Sequence, residues 1–186
     1  METISAVRER LFALIKEKAY HPGPIKLASG KTSDYYIDAR AVTLSSEGAY
    51  CVGRLLLDLV RGDAVQAVGG PTLGADPLVG ALAAVSFQEK HPVNTFLIRK
   101  TPKAHGRMLQ VEGPPLEAGA RVVLIDDVAT TGGSLIDAIA VLGKMDVKVD
   151  RAIVVVDREE GAAANLAAKG CALSALFKAS DFSARR

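Results

Sequence analysis

The segment Val122–Ser134 reads VVLIDDVATTGGS, and it constrains this chain more than any other. Its aliphatic run is continuous rather than alternating, the pattern of a strand buried on both faces of a parallel sheet. Asp126 and Asp127 then fall at that strand's carboxyl end, where open α/β sheets place their ligands. Thr130, Thr131, Gly132, Gly133 and Ser134 run directly into an apolar helical pattern of Leu135, Ile136, Ile139, Ala140 and Leu142. A hydroxyl- and glycine-rich loop at a helix N-terminus offers unpaired N–H groups, a favourable dipole and hydroxyl donors to a phosphate. The two carboxylates are acceptors, suited instead to sugar hydroxyls or a hydrated metal ion. One carboxylate and one Thr are accounted for by an Asx-type turn with a helix cap. The whole run points to a ligand site.

The remaining periodicity places that strand in an alternating α/β chain. Ile4, Val7, Leu11, Leu14 and Ile15 predict an amphipathic helix over about Thr3 to Lys18, ended by His21, Pro22, Gly23 and Pro24. IKLASGKTSDYYIDAR reads as two short strands around a turn, a hairpin or hood. Helices are expected over about Glu47–Arg61, Leu78–Phe87 and Glu160–Lys169. Strands are expected over Ala64–Val68, Asn94–Arg99, Val149–Val156 and Ala172–Lys178. Lys100–Pro115 has no apolar period and reads as a long loop, of the kind that often serves as an active-site lid. Strands and helices alternating in this way predict an open, mostly parallel sheet flanked by helices.

With 186 residues, 49% hydrophobic and 24% charged, the chain fits one globular domain over residues 1–186, with no fused second domain expected. A formal charge of +2 with no long basic run gives no reason to expect a nucleic-acid partner. No apolar stretch reaches the roughly eighteen residues of a membrane span. Cys51 and Cys171 stand far apart, without neighbours at metal-ligand spacing, which fits a reducing cytoplasm. SGKT at Ser29–Thr32 imitates a P-loop end but has Ile25 where that motif needs Gly, and strand-like YYID follows it. His21 and His91 read as surface or turn residues.

Further clusters add chemistry. RKTPKAHG, Arg99 to Gly106, packs three fixed cations and a histidine behind a buried strand, a set of donors suited to a concentrated anion such as diphosphate. GGPTLGADP, Gly69 to Pro77, is a small-residue loop that lets backbone approach a ligand closely. Asp157 and Arg158 end another buried strand, and an Arg there can grip a carboxylate in bidentate fashion; a surface pair with Glu159 or Glu160 is the alternative.

The acidic pair and its loop resemble the phosphoribosyl-diphosphate (PRPP) signature of the type I phosphoribosyltransferases. Arg-Lys-x-x-Lys-x-His-Gly and the Ser-Gly-x-x-Ser-x-x-Tyr of Ser29, Gly30, Ser33 and Tyr36 are similar to the orotate phosphoribosyltransferase family within it. The matched pieces run in the family's order from about Leu27 to Arg158. The resemblance implies a hood formed by about residues 20–40 plus the C-terminal segment. It implies PRPP contacts from Arg99, Lys100, Lys103, His105, Asp126, Asp127, Val128, Ala129, Thr130, Thr131, Gly132, Gly133 and Ser134. Orotate contacts would come from Thr130, Arg158 and Tyr36, with Lys103 and Asp127 as catalytic residues. Mg²⁺ is implied as the cofactor, held mainly through PRPP with no metal ligands of the protein's own. A cytoplasmic homodimer is implied, whose active site is shared through the Arg99–Gly106 loop. Two positions depart from the family. Ala28 stands where many relatives carry Lys, and whether Lys26 replaces it is open; Gly74 stands where some carry Lys. The alternatives are transfer to another base, or a non-catalytic PRPP-sensing regulator.

Overall fold

A computed structural model of the chain describes residues 2–26, 32–101 and 110–184. Helix α1 (Ile4–Lys18) begins where the Thr3 hydroxyl accepts the Ala6 amide at 3.2 Å, and it buries Val7, Leu11, Leu14 and Ile15 along one face. Strands β1 (Tyr20–Lys26) and β2 (Thr32–Ile37) form the antiparallel hairpin expected from the sequence, with an irregularity between Pro22 and Ile25. The short helix α2 (Arg40–Thr43), which periodicity did not reveal, leads to α3 (Ser46–Val60), capped by the Ser45 hydroxyl on the Gly48 amide.

The core sheet has the order β5-β4-β3-β6-β7-β8. It comprises β3 (Ala67–Pro71), β4 (Thr95–Ile98), β5 (Val111–Glu112), β6 (Arg121–Ala129), β7 (Lys148–Asp157) and β8 (Ala172–Lys178). All pairs are parallel except β4 with β5. The crossovers are α4 (Asp76–Gln88), α5 (Gly133–Gly143) and α6 (Ala162–Ala167), and α7 (Ala179–Ala184) closes the described chain. Along β6 the side chains divide as a doubly covered strand requires. Val123 and Ile125 join the core beneath α1, α3 and α4, while Val122 and Leu124 join the core beneath α5 and α6. The chain runs outward from β3 to β4, then returns to lay β6 on the other side of β3. The order therefore reverses between β3 and β6, and a crevice opens beyond their carboxyl ends.

Three expectations are corrected. The third strand covers Ala67–Pro71 rather than Ala64–Val68, so Gly69, Gly70 and Pro71 are strand residues and not loop. A Cβ on Gly69 would lie 2.2 Å from the Phe96 carbonyl oxygen, and one on Gly70 would lie 1.9 Å from that of Ile125. These glycines serve close strand packing, which single-chain punctuation reads as a turn. Lys100–Pro115 is not wholly loop, because Val111–Glu112 pairs with Leu97 and Ile98. The helix expected from Glu160 starts only at Ala162, after Gly161 takes a left-handed φ of 101°. Behind the hairpin, the Phe182 ring of α7 stacks 5.7 Å from Tyr20 and 4.9 Å from Phe12, joining the C-terminal helix to β1 and α1. Among the described residues, no helix is long and apolar enough to cross a membrane.

Candidate active site

Strand β6 carries Asp126 and Asp127 to the switch point. Asp126 is 6% exposed. Its Oδ1 accepts the Asp127 amide at 3.0 Å, and its Oδ2 accepts the Ser134 hydroxyl at 2.9 Å. Burial first, and then the charge of Asp127, push the Asp126 carboxyl up from 3.8 to about 7, against the pull of Ser134 and the Asp127 amide. Asp127 turns its Oδ1 back to the Val128 amide at 2.8 Å. Both carboxylates are therefore oriented before any ligand arrives.

The strand does not stop at the acids. Val128 and Ala129 pair with Val156 and Asp157 of β7, and the Ala129 carbonyl accepts the Arg158 amide at 2.9 Å. Both were expected in the phosphate loop; both are strand residues, and Ala129 belongs to the core. The turn itself is Thr130, Thr131 and Gly132, with Gly132 at φ 80° capping α5. Gly133 and Ser134 form the exposed first turn of that helix, whose leading amides have no partner within the helix. Asn165 of α6 donates its side-chain amide to the Thr131 carbonyl at 2.9 Å and fixes the turn from behind. Nothing in the sequence singled out Asn165, because this contact spans 34 residues.

A cleft of about 330 Å³ opens over the acids, bordered by Tyr36, Arg40, Thr72, Gly74, Lys100 and Ser134. Gly74 lies so close that a Cβ there would stand 2.1 Å from Asp126 Oδ1 and 2.4 Å from Asp127 Oδ1. An adjoining cavity of about 480 Å³ shares Pro71, Thr72, Lys100 and Ser134 with the cleft and adds Arg99 and Asp137. At its rim the Arg99 amide donates to the Gln110 carbonyl at 2.8 Å, and Gln110 Nε2 donates to the Arg99 carbonyl at 2.9 Å. The two ends of the basic loop are thus clamped together. Lys103 and His105 lie outside the described residues, as do Ala28, Ser29 and Gly30.

Arg158 is 8% exposed. One terminal nitrogen donates to the Ser33 hydroxyl at 3.2 Å and pairs with Glu160 at 2.8 Å. Its guanidinium lies 5.0 Å from the centre of the Tyr35 ring, and its Nε is buried with no hydrogen-bond partner among the described residues. The local alternative, a pair with Glu160, is thus present. A buried N–H without a partner still leaves one donor for a ligand. Glu159 turns elsewhere, to the Ser180 amide at 3.1 Å. The hairpin brings Ser33 and Tyr35 to Arg158, whereas Tyr36 points to the opposite face of β2, stacks on His21 and lines the acidic cleft. Thr130 is exposed at the turn. Among the described residues, no three His, Cys, Asp or Glu side chains gather to hold a metal ion.

Residues 51–172 match the phosphoribosyl transferase domain family. An orotate phosphoribosyltransferase of Thermosynechococcus vestitus is 44% identical over 183 residues, covering 98% of this chain and 96% of that protein. A crystal structure of Mycobacterium tuberculosis orotate phosphoribosyltransferase in complex with Fe(III) dicitrate aligns with a TM-score of 0.80 at 33% identity, covering 95% of this chain and 98% of that one. A second structure of the same enzyme, in complex with PRPP, aligns with a TM-score of 0.78 at 29% identity, over 95% of this chain and 99% of that one.

Proposed function

The chain belongs to the orotate phosphoribosyltransferase family, and we propose that it transfers the 5-phosphoribosyl group of PRPP to orotate, giving orotidine 5′-monophosphate and diphosphate in pyrimidine biosynthesis. The observation that carries this reading is one juxtaposition. A pre-oriented acidic pair and the open first turn of α5 share a cleft, and a buried arginine whose Nε has no partner among the described residues stands at the end of the neighbouring strand.

Breaking the C1–O bond of PRPP builds positive charge on the ribose ring, as in glycoside chemistry. The site must then hold the ribose still, absorb the charge of departing diphosphate and present a ring nitrogen. In this reading Asp126 and Asp127 accept the 2′- and 3′-hydroxyls, since ionised carboxylates are pure acceptors. Thr130, Thr131, Gly132, Gly133 and Ser134 take the 5′-phosphate on backbone amides and hydroxyls, with Val128 and Ala129 setting the turn's height from within the strand. Arg99, Lys100, Lys103 and His105 meet the diphosphate, with Lys103 assisting its departure. Bound together with PRPP, Mg²⁺ would supply further neutralisation of the same charge. Arg158 binds the orotate carboxylate, assisted by Thr130, and Tyr36 borders the ribose side of the cleft. Closure of the basic loop excludes water that would hydrolyse PRPP.

Further parts of the reading are a single domain over residues 1–186, with residues 20–40 and the C-terminal segment as its hood, and a cytoplasmic homodimer that shares its sites through the basic loop. The stacking of Phe182 on Tyr20 supports that hood, because it sets the C-terminal helix against the first strand of the hairpin. The test is an assay of purified protein with Mg²⁺ and PRPP against orotate, adenine, guanine and xanthine. Orotate consumption with diphosphate release is expected. Turnover of the purines without orotate would overturn the specificity, and tight PRPP binding without any turnover would favour a regulator.

A further inference from the structure

The acidic pair presents four carboxylate oxygens, of which three accept hydrogen bonds and the fourth faces a cation. Asp126 Oδ1 holds the Asp127 amide, Asp126 Oδ2 holds Ser134, and Asp127 Oδ1 holds the Val128 amide. Those three neighbours come from β6 and the helix that follows it. The fourth oxygen, Asp127 Oδ2, faces Arg40, whose Nε lies 3.9 Å away.

Arg40 comes from a different part of the fold. It opens α2, directly after the hairpin, and the same Nε lies 3.6 Å from Asp38 Oδ1. Its backbone is well anchored. Ala39, Val42 and Thr43 are buried, the Ala39 carbonyl accepts the Val42 and Thr43 amides, and the Asp38 amide donates to the Ala19 carbonyl at 2.9 Å. With those neighbours turned inward, the Arg40 side chain is left on the cleft side, where it remains 42% exposed. Among the described residues, the cations that line this cleft are Arg40 and Lys100.

We infer that Arg40 is a positioning residue for Asp127: from the hood side of the cleft it holds the second carboxylate of the pair in the rotamer that receives the ribose hydroxyls. The arrangement makes the ribose grip depend on the hairpin–α2 unit as well as on β6. Asp38, which also lines the cleft, shares the same guanidinium nitrogen with Asp127 and so helps to hold Arg40 beside the pair. This inference rests on the PRPP-binding reading above and assigns a part of that site to a segment otherwise seen as a cover for the acceptor base.

A double-mutant cycle tests it, with PRPP affinity measured by calorimetry on the full chain in the presence of Mg²⁺. Arg40→Gln is expected to weaken PRPP binding about three- to tenfold, a size suited to a partly exposed ion pair at a site for a polyanion. Arg40→Lys should recover part of the loss, and the KM for orotate should stay near the wild-type value. In an Asp127→Asn background, removing Arg40 should cost less than about twofold, because the residue it positions has already been neutralised. Equal losses in the two backgrounds would show that Arg40 acts on PRPP directly and overturn the positioning role. An unchanged affinity in Arg40→Gln, with wild-type protein binding PRPP normally, would overturn this inference alone. Wild-type protein that fails to bind PRPP would overturn the functional reading with it.

Discussion

The Ser134 hydroxyl donates to Asp126 Oδ2 across 2.9 Å and eight residues of chain, so the first turn of α5 and the end of β6 hold each other. This one bond joins the proposed phosphate-binding turn to the proposed ribose-binding acid. It also bears on that acid's charge: burial and then Asp127 raise the Asp126 carboxyl to about 7, and the Ser134 bond draws it partly back down.

PRPP binding should therefore be linked to pH. A ribose hydroxyl donates best to an ionised carboxylate, so binding below about pH 7 is expected to release protons, and affinity should rise as pH climbs through that value. Calorimetry in buffers of different ionisation enthalpy measures the release. Ser134→Ala removes a bond that favours the ionised form, so its affinity transition should move to higher pH. For the free protein the sign is opposite. A carboxyl raised above its ordinary 3.8 stabilises the fold most at low pH and loses that contribution as pH rises through about 7. Asp126→Asn should flatten this decline and unfold at a higher temperature than wild type at pH 8.

Gly74→Ala should damage PRPP binding more than folding. The added Cβ meets both carboxylates at 2.1 and 2.4 Å, so either the loop or the acids must shift. A displacement of about 1 Å in a positioning group can cost as much as ~100-fold in rate. A fall in kcat/KM for PRPP of about tenfold or more, with an unfolding midpoint near wild type, is the expected result. Wild-type kinetics would show that the loop moves away from the acids without penalty.

Arg158→Gln should act on orotate rather than on PRPP. Hydrogen bonds to a charged group contribute about 1.5–3 kcal/mol, so the orotate KM should rise roughly 10- to 100-fold while the PRPP KM stays close to its starting value. Arg158→Lys should rescue little, since an ammonium cannot reproduce the planar fork that already reaches Ser33 and Glu160. A rise in the PRPP KM instead would move Arg158 out of the acceptor site.

Lys103→Ala should lower turnover far more than PRPP affinity. Removing one group that stabilises a developing charge typically costs about 100-fold or more in kcat. Rapid-quench measurement of the chemical step against equilibrium PRPP binding separates the two effects. Equal losses in both would make Lys103 a binding residue only, and full activity would remove the basic loop from the mechanism.

Much of this protein was legible in one dimension. The unbroken aliphatic runs of β6 and of β7, the latter Ile153, Val154, Val155 and Val156, read as strands covered on both faces, and α1, α3 and β8 fall within a residue or so of their expected limits. The acids, the small-residue turn and the basic string are contiguous, so their chemistry is carried by local sequence. Relations between distant segments were not legible. Gly69 and Gly70 read as loop because a glycine reports its own flexibility, whereas here it answers the carbonyls of Phe96 and Ile125 on adjacent strands. Which hairpin tyrosine meets Arg158 depended on the pleat of β2, and Tyr35 occupies that side rather than Tyr36. Asn165 behind the phosphate turn and Arg40 beside Asp127 left no local signature at all. Sequence determined the chemistry each segment offers, since residue type and short-range period are properties of the chain. The tertiary structure decided which of those groups face one another, since that follows from strand order and register, fixed only when both faces of the sheet are covered.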